Sequence, residues 1–164
     1  MKEKVAIIKA LSVNLPLLLA SLALSIPAIF ASPQWLIGTI VNALLFVAAV
    51  KLDSKNQWPI IVLPSLGALL HGVIFGPLTV FLVYFIPFIW LGNYLLVKLA
   101  SFKWPFVWCV IAASVLKSAA LFLTAFFYVN INLVPKIFLS SMGLMQLATA
   151  LAGGLLAYFI IDSV

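Results

Sequence analysis

The sequence predicts an all-α membrane protein, a polytopic six-transmembrane-helix bundle that forms one integral domain (1–164) with both termini in the cytoplasm. Three observations support this prediction. Of the 164 residues, 66% are hydrophobic and 7% are charged, which leaves too few polar side chains to cover a soluble domain. Apolar runs long enough to cross about 30 Å of hydrocarbon recur along the chain. The lysines are concentrated in the connections at one side of these runs.

Six apolar runs are candidates for membrane spans: Val5–Phe30, Leu36–Val50, Trp58–Gly72, Leu78–Val97, Trp104–Tyr128 and Ile137–Ile161. The first run follows Met-Lys-Glu-Lys but lacks a convincing signal-peptide cleavage site, so we interpret it as a span. The second and third runs are short, because about 15 residues of helix reach only about 22 Å. A re-entrant pair is the alternative interpretation for these two runs.

The distribution of the nine lysines predicts the topology. With the N-terminus inside, seven lysines lie on the cytoplasmic side and Lys136 alone lies outside, and Lys117 is within a span. The seven are Lys2, Lys4, Lys9, Lys51, Lys55, Lys98 and Lys103. An excess of positive charge in the cytoplasmic connections is the usual rule for membrane proteins, so we expect an even number of crossings.

Lys117 is the most informative residue, because it lies near the middle of span five and no apolar run contains an acidic residue. An ionisable side chain at this depth costs about 2.5–3.5 kcal/mol on insertion scales and usually faces the interior of a bundle. Helical spacing places it on a face with small and polar residues such as Ser114 and Thr124. Three hypotheses remain open: contact with an anionic ligand, an uncharged or proton-linked lysine, and a structural lysine bonded to partners such as Gln146.

Other polar and aromatic side chains of the spans are candidate ligand contacts: Gln146, Thr124, His71, Tyr84 and Asn42. Gln146 is as consistent with an interhelical hydrogen bond as with a ligand contact, and Asn42 is equally open. His71 is either an interfacial polar group or a donor at the mouth of a cavity. Tyr84 is either a pocket residue or a packing residue. For Asn93, near the cytoplasmic end of span four, we favour packing or docking.

Small residues at three- and four-residue steps predict where helices approach closely. Thr149, Gly153 and Ala157 form such a stripe on span six, and Ala6 and Ala10 form a shorter one at the start of span one. The second pair would contact either the bundle itself or a partner protein.

Several function classes are disfavoured. The lysines do not form one basic face, so we expect no nucleic-acid partner. The single cysteine, Cys109, gives no disulfide framework or metal cluster, and we expect no metal site and no cofactor. The spans lack a paired nucleophile and base, so we expect no catalytic residues and no enzyme activity.

Six apolar spans in fewer than 200 residues, both ends inside and the Ala6-x-x-x-Ala10 pattern resemble the substrate-binding S-components of energy-coupling factor (ECF) transporters. The resemblance implies a multi-pass protein of a bacterial or archaeal cell membrane that captures a small micronutrient-like solute, such as a vitamin. It also implies partners: a coupling subunit, contacted through Ala6 and Ala10, and separate ATPases. Ligands in that family bind near the outside, between spans four to six and the loops after spans one, three and five.

Two other classes stay open beside this one. The chain could be a structural or interaction bundle without a transported ligand, in which Lys117 holds the helices together. A channel or proton-linked carrier ranks below both, because no repeat and no relay partner of Lys117 is found in the sequence.

Overall fold

The computed structural model describes residues 2–30, 33–72 and 76–163, and the side chains of these residues other than 2–13, 71, 77 and 163. Every element in this part of the chain is helical, as the composition predicts. The helices are α1 (Lys2–Ile29), α2 (Gln34–Lys51), α3 (Ser54–His71), α4 (Leu82–Ala100), α5 (Phe106–Asn130), α6 (Ile137–Met142) and α7 (Leu144–Ser163), and a 3-10 helix, Gly76–Phe81, leads into α4.

Four helical segments of the described chain are long and apolar enough to cross a membrane: Gln34–Lys51, Leu78–Ala100, Phe106–Asn130 and Ile137–Asp162. The apolar part of α1 with described side chains, Asn14–Ile29, is shorter. Helix α3 has the length of α2, but the polar sequence Ser-Lys-Asn-Gln in its first turn lowers its hydropathy. A membrane protein with several spans is therefore supported, whereas the count of six and the cytoplasmic location of the termini stay predictions.

The sixth predicted span is not one continuous helix. Helix α6 ends at Met142 and α7 begins at Leu144, because Gly143 between them takes non-helical angles (φ −100°, ψ −95°). A Cβ atom at Gly143 would lie 2.7 Å from the Leu139 carbonyl oxygen and 2.8 Å from the Phe122 ring. At this break the chain packs closely against α5. The apolar run alone does not predict the break.

Close approach of helix backbones holds the bundle together, with α2 against α7, α1 against α3 and α4 against α5 as the main pairs. A Cβ atom at Gly153 of α7 would lie 2.7 Å from the Thr39 carbonyl oxygen and 2.8 Å from the Ala43 nitrogen of α2. Only glycine fits at this crossing. The prediction that the stripe on span six packs against another helix is therefore confirmed at Gly153.

The helices alternate in direction, so the bundle has two distinct ends. We call one the lysine end, because Lys51, Lys55, Lys98 and Lys103 lie in or next to its connections. The Ser101 hydroxyl donates to the Ala49 carbonyl oxygen there (3.0 Å) and joins the end of α4 to the end of α2. The opposite end carries the connections that follow α1, α3 and α5.

Buried apolar side chains form two clusters, one toward each end. The lysine-end cluster consists of Leu19, Ala23, Ala43, Leu45, Phe46, Val47, Ala48, Ala49, Ile60, Ile61, Leu96, Val97, Ala100, Val110, Ala113, Ala150 and Ala157. The opposite-end cluster consists of Ala68, Leu82, Phe85, Leu121, Ala125, Val134, Phe138 and Met142. Lys117 and the polar side chains near it lie at the level where the two clusters meet.

Candidate functional site

Lys117 occupies the middle of α5, 11 residues after its first residue and 13 before its last. Its side chain is 3% exposed, whereas Leu123 on the other side of the helix is 65% exposed. The residues predicted to face lipid are exposed in the structure: Leu116, Leu123, Phe126 and Phe127. The prediction that Lys117 points into the bundle is therefore confirmed, and its burial follows from the helical spacing of its neighbours.

The Lys117 side chain crosses the bundle from α5 to α2. Its stem passes α4 at Gly92, where a Cβ atom would lie 3.2 Å from the Lys117 Cγ atom. Its ammonium group donates a hydrogen bond of 2.6 Å to Oδ1 of Asn42. The lysine thus joins three helices, and its partner in the described structure is Asn42 rather than Gln146.

The orientation of the Asn42 amide follows from its neighbours. A lysine can only donate, so the atom that faces Lys117 must be the amide oxygen. The Nδ2 group then donates to the Gly38 carbonyl oxygen (2.9 Å) and to the Thr149 hydroxyl (3.3 Å). Thr149 in turn donates to the Met145 carbonyl oxygen (2.8 Å). The lysine is therefore held by a buried polar layer that connects α5, α2 and α7.

A cavity of about 70 Å³ lies beside this layer. This volume is several times the about 10–15 Å³ that one water molecule requires and is below the about 300–1,000 Å³ of pockets that enclose drug-sized ligands. The cleft that contains it holds about 630 Å³, including the open space next to it. The wall consists of Pro27, Gln34, Ile37, Gly38, Val41, Asn42, Pro64, Ser65, Ala68, Leu82, Ile89, Asn93, Lys117, Met142, Gln146 and Thr149.

The cavity extends from the level of Lys117 toward the opposite end of the bundle. Gln34, in the first turn of α2, and Asn42 both line it, and eight residues of helix correspond to about 12 Å. The Gln34 amide donates to the Ser141 carbonyl oxygen (3.3 Å) and so ties the start of α2 to α6 near that end. A solute that enters between these helices would reach Lys117 at the inner end of the cavity.

Two further amides line the cavity. Asn93 of α4 is 1% exposed, and its Nδ2 donates to the Ile61 carbonyl oxygen of α3 (2.9 Å), while its Oδ1 has no partner in the described protein. The Gln146 side chain is partly exposed, and no hydrogen bond joins it to another described residue. The sequence predicted Gln146 as a candidate ligand contact. It did not predict Asn93, because the position of Asn93 near the cytoplasmic end of its span favoured packing or docking.

The Ser65 hydroxyl, also in the cavity wall, makes two hydrogen bonds within the bundle. It accepts from Nε1 of Trp90 (2.8 Å) and donates to the Val62 carbonyl oxygen of its own helix (2.9 Å). These bonds use the hydroxyl proton, so Ser65 contributes shape rather than a free donor to the cavity. Trp90 therefore acts on the cavity indirectly, by fixing Ser65.

Two predicted ligand contacts lie outside the cavity. The Thr124 hydroxyl donates to the Ala120 carbonyl oxygen of its own helix (3.0 Å), which is the usual bond of a threonine inside a helix. The Tyr84 side chain is about half exposed, and its ring packs edge-on against Tyr128 with centroids 6.5 Å apart. The structure thus brings together Lys117, Asn42 and Gln146 and separates Thr124 and Tyr84 from them.

The side chains of the remaining predicted site residues lie outside the described part of the structure. His71 is the last residue of α3, but its side chain is not among those described. Ala6 and Ala10 lie on α1, and their side chains are likewise outside the described residues. Their roles as a ligand contact and as a docking pair stay predictions.

The described part of the cavity wall contains one basic side chain, that of Lys117, and no carboxylate. A lysine has three donors, of which one is used by Asn42. Among the described residues no group of three His, Cys, Asp or Glu side chains could hold a metal ion.

No protein-family model, curated protein or solved structure matches the chain. The resemblance to the ECF S-components therefore rests on architecture and on the pattern at Ala6 and Ala10. A fold hosts many functions, so the function has to be argued from the site.

Proposed function

We propose that this protein is a membrane-embedded capture subunit for a small anionic solute, which it binds in the cavity beside Lys117. The observation that carries the proposal is a buried lysine at the inner end of a cavity whose described lining contains no carboxylate. A lysine in this position is costly to the fold, and charged side chains within spans usually mark a ligand or ion pathway.

The electrostatics favour an anion. The Lys117 ammonium is compensated by one amide oxygen in the described structure, which is a partial dipole and not a full opposite charge. Removing an ammonium from water costs several kcal/mol unless it is paired and hydrogen-bonded. An anion that enters the cavity would provide that pairing, and in a low-dielectric interior the attraction exceeds its value in water.

The topology and partners belong to the same proposal. Six spans with both termini inside would turn the lysine end to the cytoplasm, in agreement with the positive-inside rule. The cavity would then extend toward the outside, as capture of an external solute requires. As the resemblance implies, a separate coupling subunit would dock on α1 at Ala6 and Ala10, and separate ATPases would supply the energy for delivery.

Native mass spectrometry of the protein, purified gently from its own membrane, tests solute capture. We expect the wild type to retain a small anionic molecule and Lys117→Met, which keeps an apolar stem and removes the charge, to lose it. Leu123→Met, an unbranched substitution on the exposed side of the same helix, is the matched control and should retain the molecule. Absence of any bound molecule from the wild type would contradict the proposal.

The second candidate function is a structural bundle that assembles with other membrane proteins. The observation in its favour is the 2.6 Å bond from Lys117 to Asn42, which connects α5 to α2 without any ligand. If this is the whole role of Lys117, Lys117→Met should lower the unfolding temperature and no small molecule should accompany the wild type. Co-purification of the wild type with other membrane proteins but with no small molecule would support this candidate.

A further inference from the structure

The Asn93 oxygen is the one buried side-chain polar atom of the described cavity wall that has no hydrogen bond. Its orientation is fixed by Ile61, because a carbonyl oxygen only accepts and therefore requires Nδ2 of Asn93 on its side. A rotation of the amide would place two oxygens against each other. A buried acceptor without a partner is unfavourable, and a donor from the molecule that occupies the cavity would offset this.

The cation count restricts the charge of the ligand. Among the described residues of the cavity wall, Lys117 is the one that can carry a charge, and the sequence contains no arginine. One ammonium group neutralises a carboxylate, whereas the second negative charge of a phosphate dianion would stay buried without a partner. An uncompensated buried charge is strongly unfavourable. The site therefore favours a monoanion.

The remaining wall restricts size and the type of donor. Half of the sixteen lining residues are apolar, among them Ile37, Val41, Leu82 and Ile89. This lining and a volume of about 70 Å³ suit a compact molecule with a short hydrocarbon body. A donor that is itself charged, such as an ammonium group, would lie near Lys117 with no carboxylate in the wall to neutralise it. A hydroxyl group or an uncharged N–H avoids this repulsion.

We propose that the ligand class is a compact monocarboxylate that also carries an uncharged hydrogen-bond donor, with the carboxylate on Lys117 and the donor on Oδ1 of Asn93. This inference deepens the proposed function and rests on it. It assigns Asn93 a role in recognition: the residue distinguishes a hydroxylated carboxylate from the same molecule without the hydroxyl group. A polar site rejects an analogue that leaves its buried group unpaired.

Isothermal titration calorimetry of the full chain in lipid nanodiscs tests the assignment with a matched panel of probes. The panel is butyrate, the three positional isomers of hydroxybutyrate, the uncharged 3-hydroxybutyramide and inorganic phosphate. We expect at least one hydroxybutyrate to bind about tenfold more tightly than butyrate, the size of one net hydrogen bond. The amide and phosphate should bind more weakly than any of the carboxylates.

Asn93→Leu tests which residue makes the distinction. It removes the oxygen while keeping a similar volume, and the Ile61 carbonyl oxygen that it releases lies within a helix. We expect the preference for hydroxybutyrate over butyrate to disappear while butyrate still binds. Thr124→Val, a polar-to-apolar change outside the cavity, is the control and should leave the preference unchanged.

The wild-type panel can overturn the inference without any variant. Butyrate that binds as tightly as every hydroxybutyrate would overturn the role of Asn93 and leave anion capture intact. Phosphate that binds more tightly than the carboxylates would overturn the monoanion assignment. If no probe binds, mass spectrometry separates the outcomes: a retained anion of another class overturns this inference alone, and no retained molecule overturns the proposed function as well.

Discussion

The two halves of the bundle are packed from different side chains. In the lysine-end cluster, eight of seventeen residues are alanines and Phe46 is the single aromatic residue. The opposite-end cluster is smaller and centres on Phe85 and Phe138, whose rings stack at 5.2 Å with planes 6° apart. Tyr128 meets the Phe85 ring edge-on at 5.3 Å. Small side chains therefore dominate the buried cluster of one half, and aromatic rings lie at the centre of the other.

The cavity lies at the level where the two clusters meet. Lipid is as apolar as leucine, so helices in a membrane associate through close packing rather than through the hydrophobic effect. Small residues bring α2 and α7 together at Gly153, whereas the stacked rings of Phe85 and Phe138 lie between α4 and α6. Space remains between the two clusters, at the level of Lys117. The polar layer around Asn42 occupies part of this space and the cavity is the rest.

The largest effect is expected from Phe85→Ala in the opposite half. Phe85 is fully buried between Phe138 and Tyr128, so its removal leaves a void and ends two ring contacts. We expect the free energy of unfolding to fall by about 3 kcal/mol, the lower limit for Phe→Ala in cores, since lipid weakens the transfer term. Denaturant unfolding in bicelles measures it. Phe126→Ala, on the exposed face, is the control, and an equal loss there would contradict ring packing in this half.

The next effect is expected from Gly153→Ala in the crossing of α2 and α7. The added methyl group would meet the Thr39 carbonyl oxygen and the Ala43 nitrogen, and a backbone cannot turn aside as a side chain can. We expect a loss of about 2 kcal/mol, within the range of overpacked cores. The same unfolding assay measures it, and Ala152→Leu on the exposed face of α7 should change stability by less than about 0.5 kcal/mol. A neutral Gly153→Ala would show that the two helices separate easily.

A smaller effect is expected from Thr149→Val in the polar layer. The hydroxyl accepts from Asn42 across the interface, and interhelical hydrogen bonds in membranes contribute about 0.6 kcal/mol on average. We expect the free energy of unfolding of Thr149→Val to fall by about this amount. Thr124→Val is the matched control, because the Thr124 hydroxyl bonds its own helix alone and should have no measurable effect. A loss of the same size at both positions would mean that the bond to Asn42 adds nothing.

The sequence predicts the close packing of small residues better than the packing of aromatic rings. Small residues at four-residue spacing are visible in the chain, and Gly153 lies at a helix crossing as predicted. The burial of Lys117 also follows from helical periodicity and the exposed aromatic face of α5. Each of these features is a property of a single helix, and a periodic sequence pattern describes a single helix.

What the sequence could not reveal depends on contacts between helices. Whether Lys117 bonds to Asn42 or to Gln146 depends on the rotation of α2 against α5. The spacing of residues within one helix does not predict that rotation. The same reason hides Asn93, whose free oxygen is apparent only when its amide is seen bonded to Ile61 of another helix. Thr124 shares a face with Lys117 yet bonds its own helix, so a common face does not ensure a common site.

The smallest effect on stability is expected where the two halves meet, from Gly92→Ala. The added methyl group would lie 3.2 Å from Cγ of Lys117, and that flexible stem can move by a few tenths of an ångström. Alanine is also more favourable than glycine within a helix by about 1 kcal/mol, so we expect the free energy of unfolding to stay the same or to rise slightly.

Ligand binding should nevertheless weaken a few-fold, because the shifted stem moves the ammonium group away from its place beside Asn42. Calorimetry and unfolding on the same sample separate the two quantities, with the exposed neighbour Leu91→Ala as control. Unchanged binding with unchanged stability would mean that Asn42 alone fixes the lysine and that the packing of α4 has no part in forming the site.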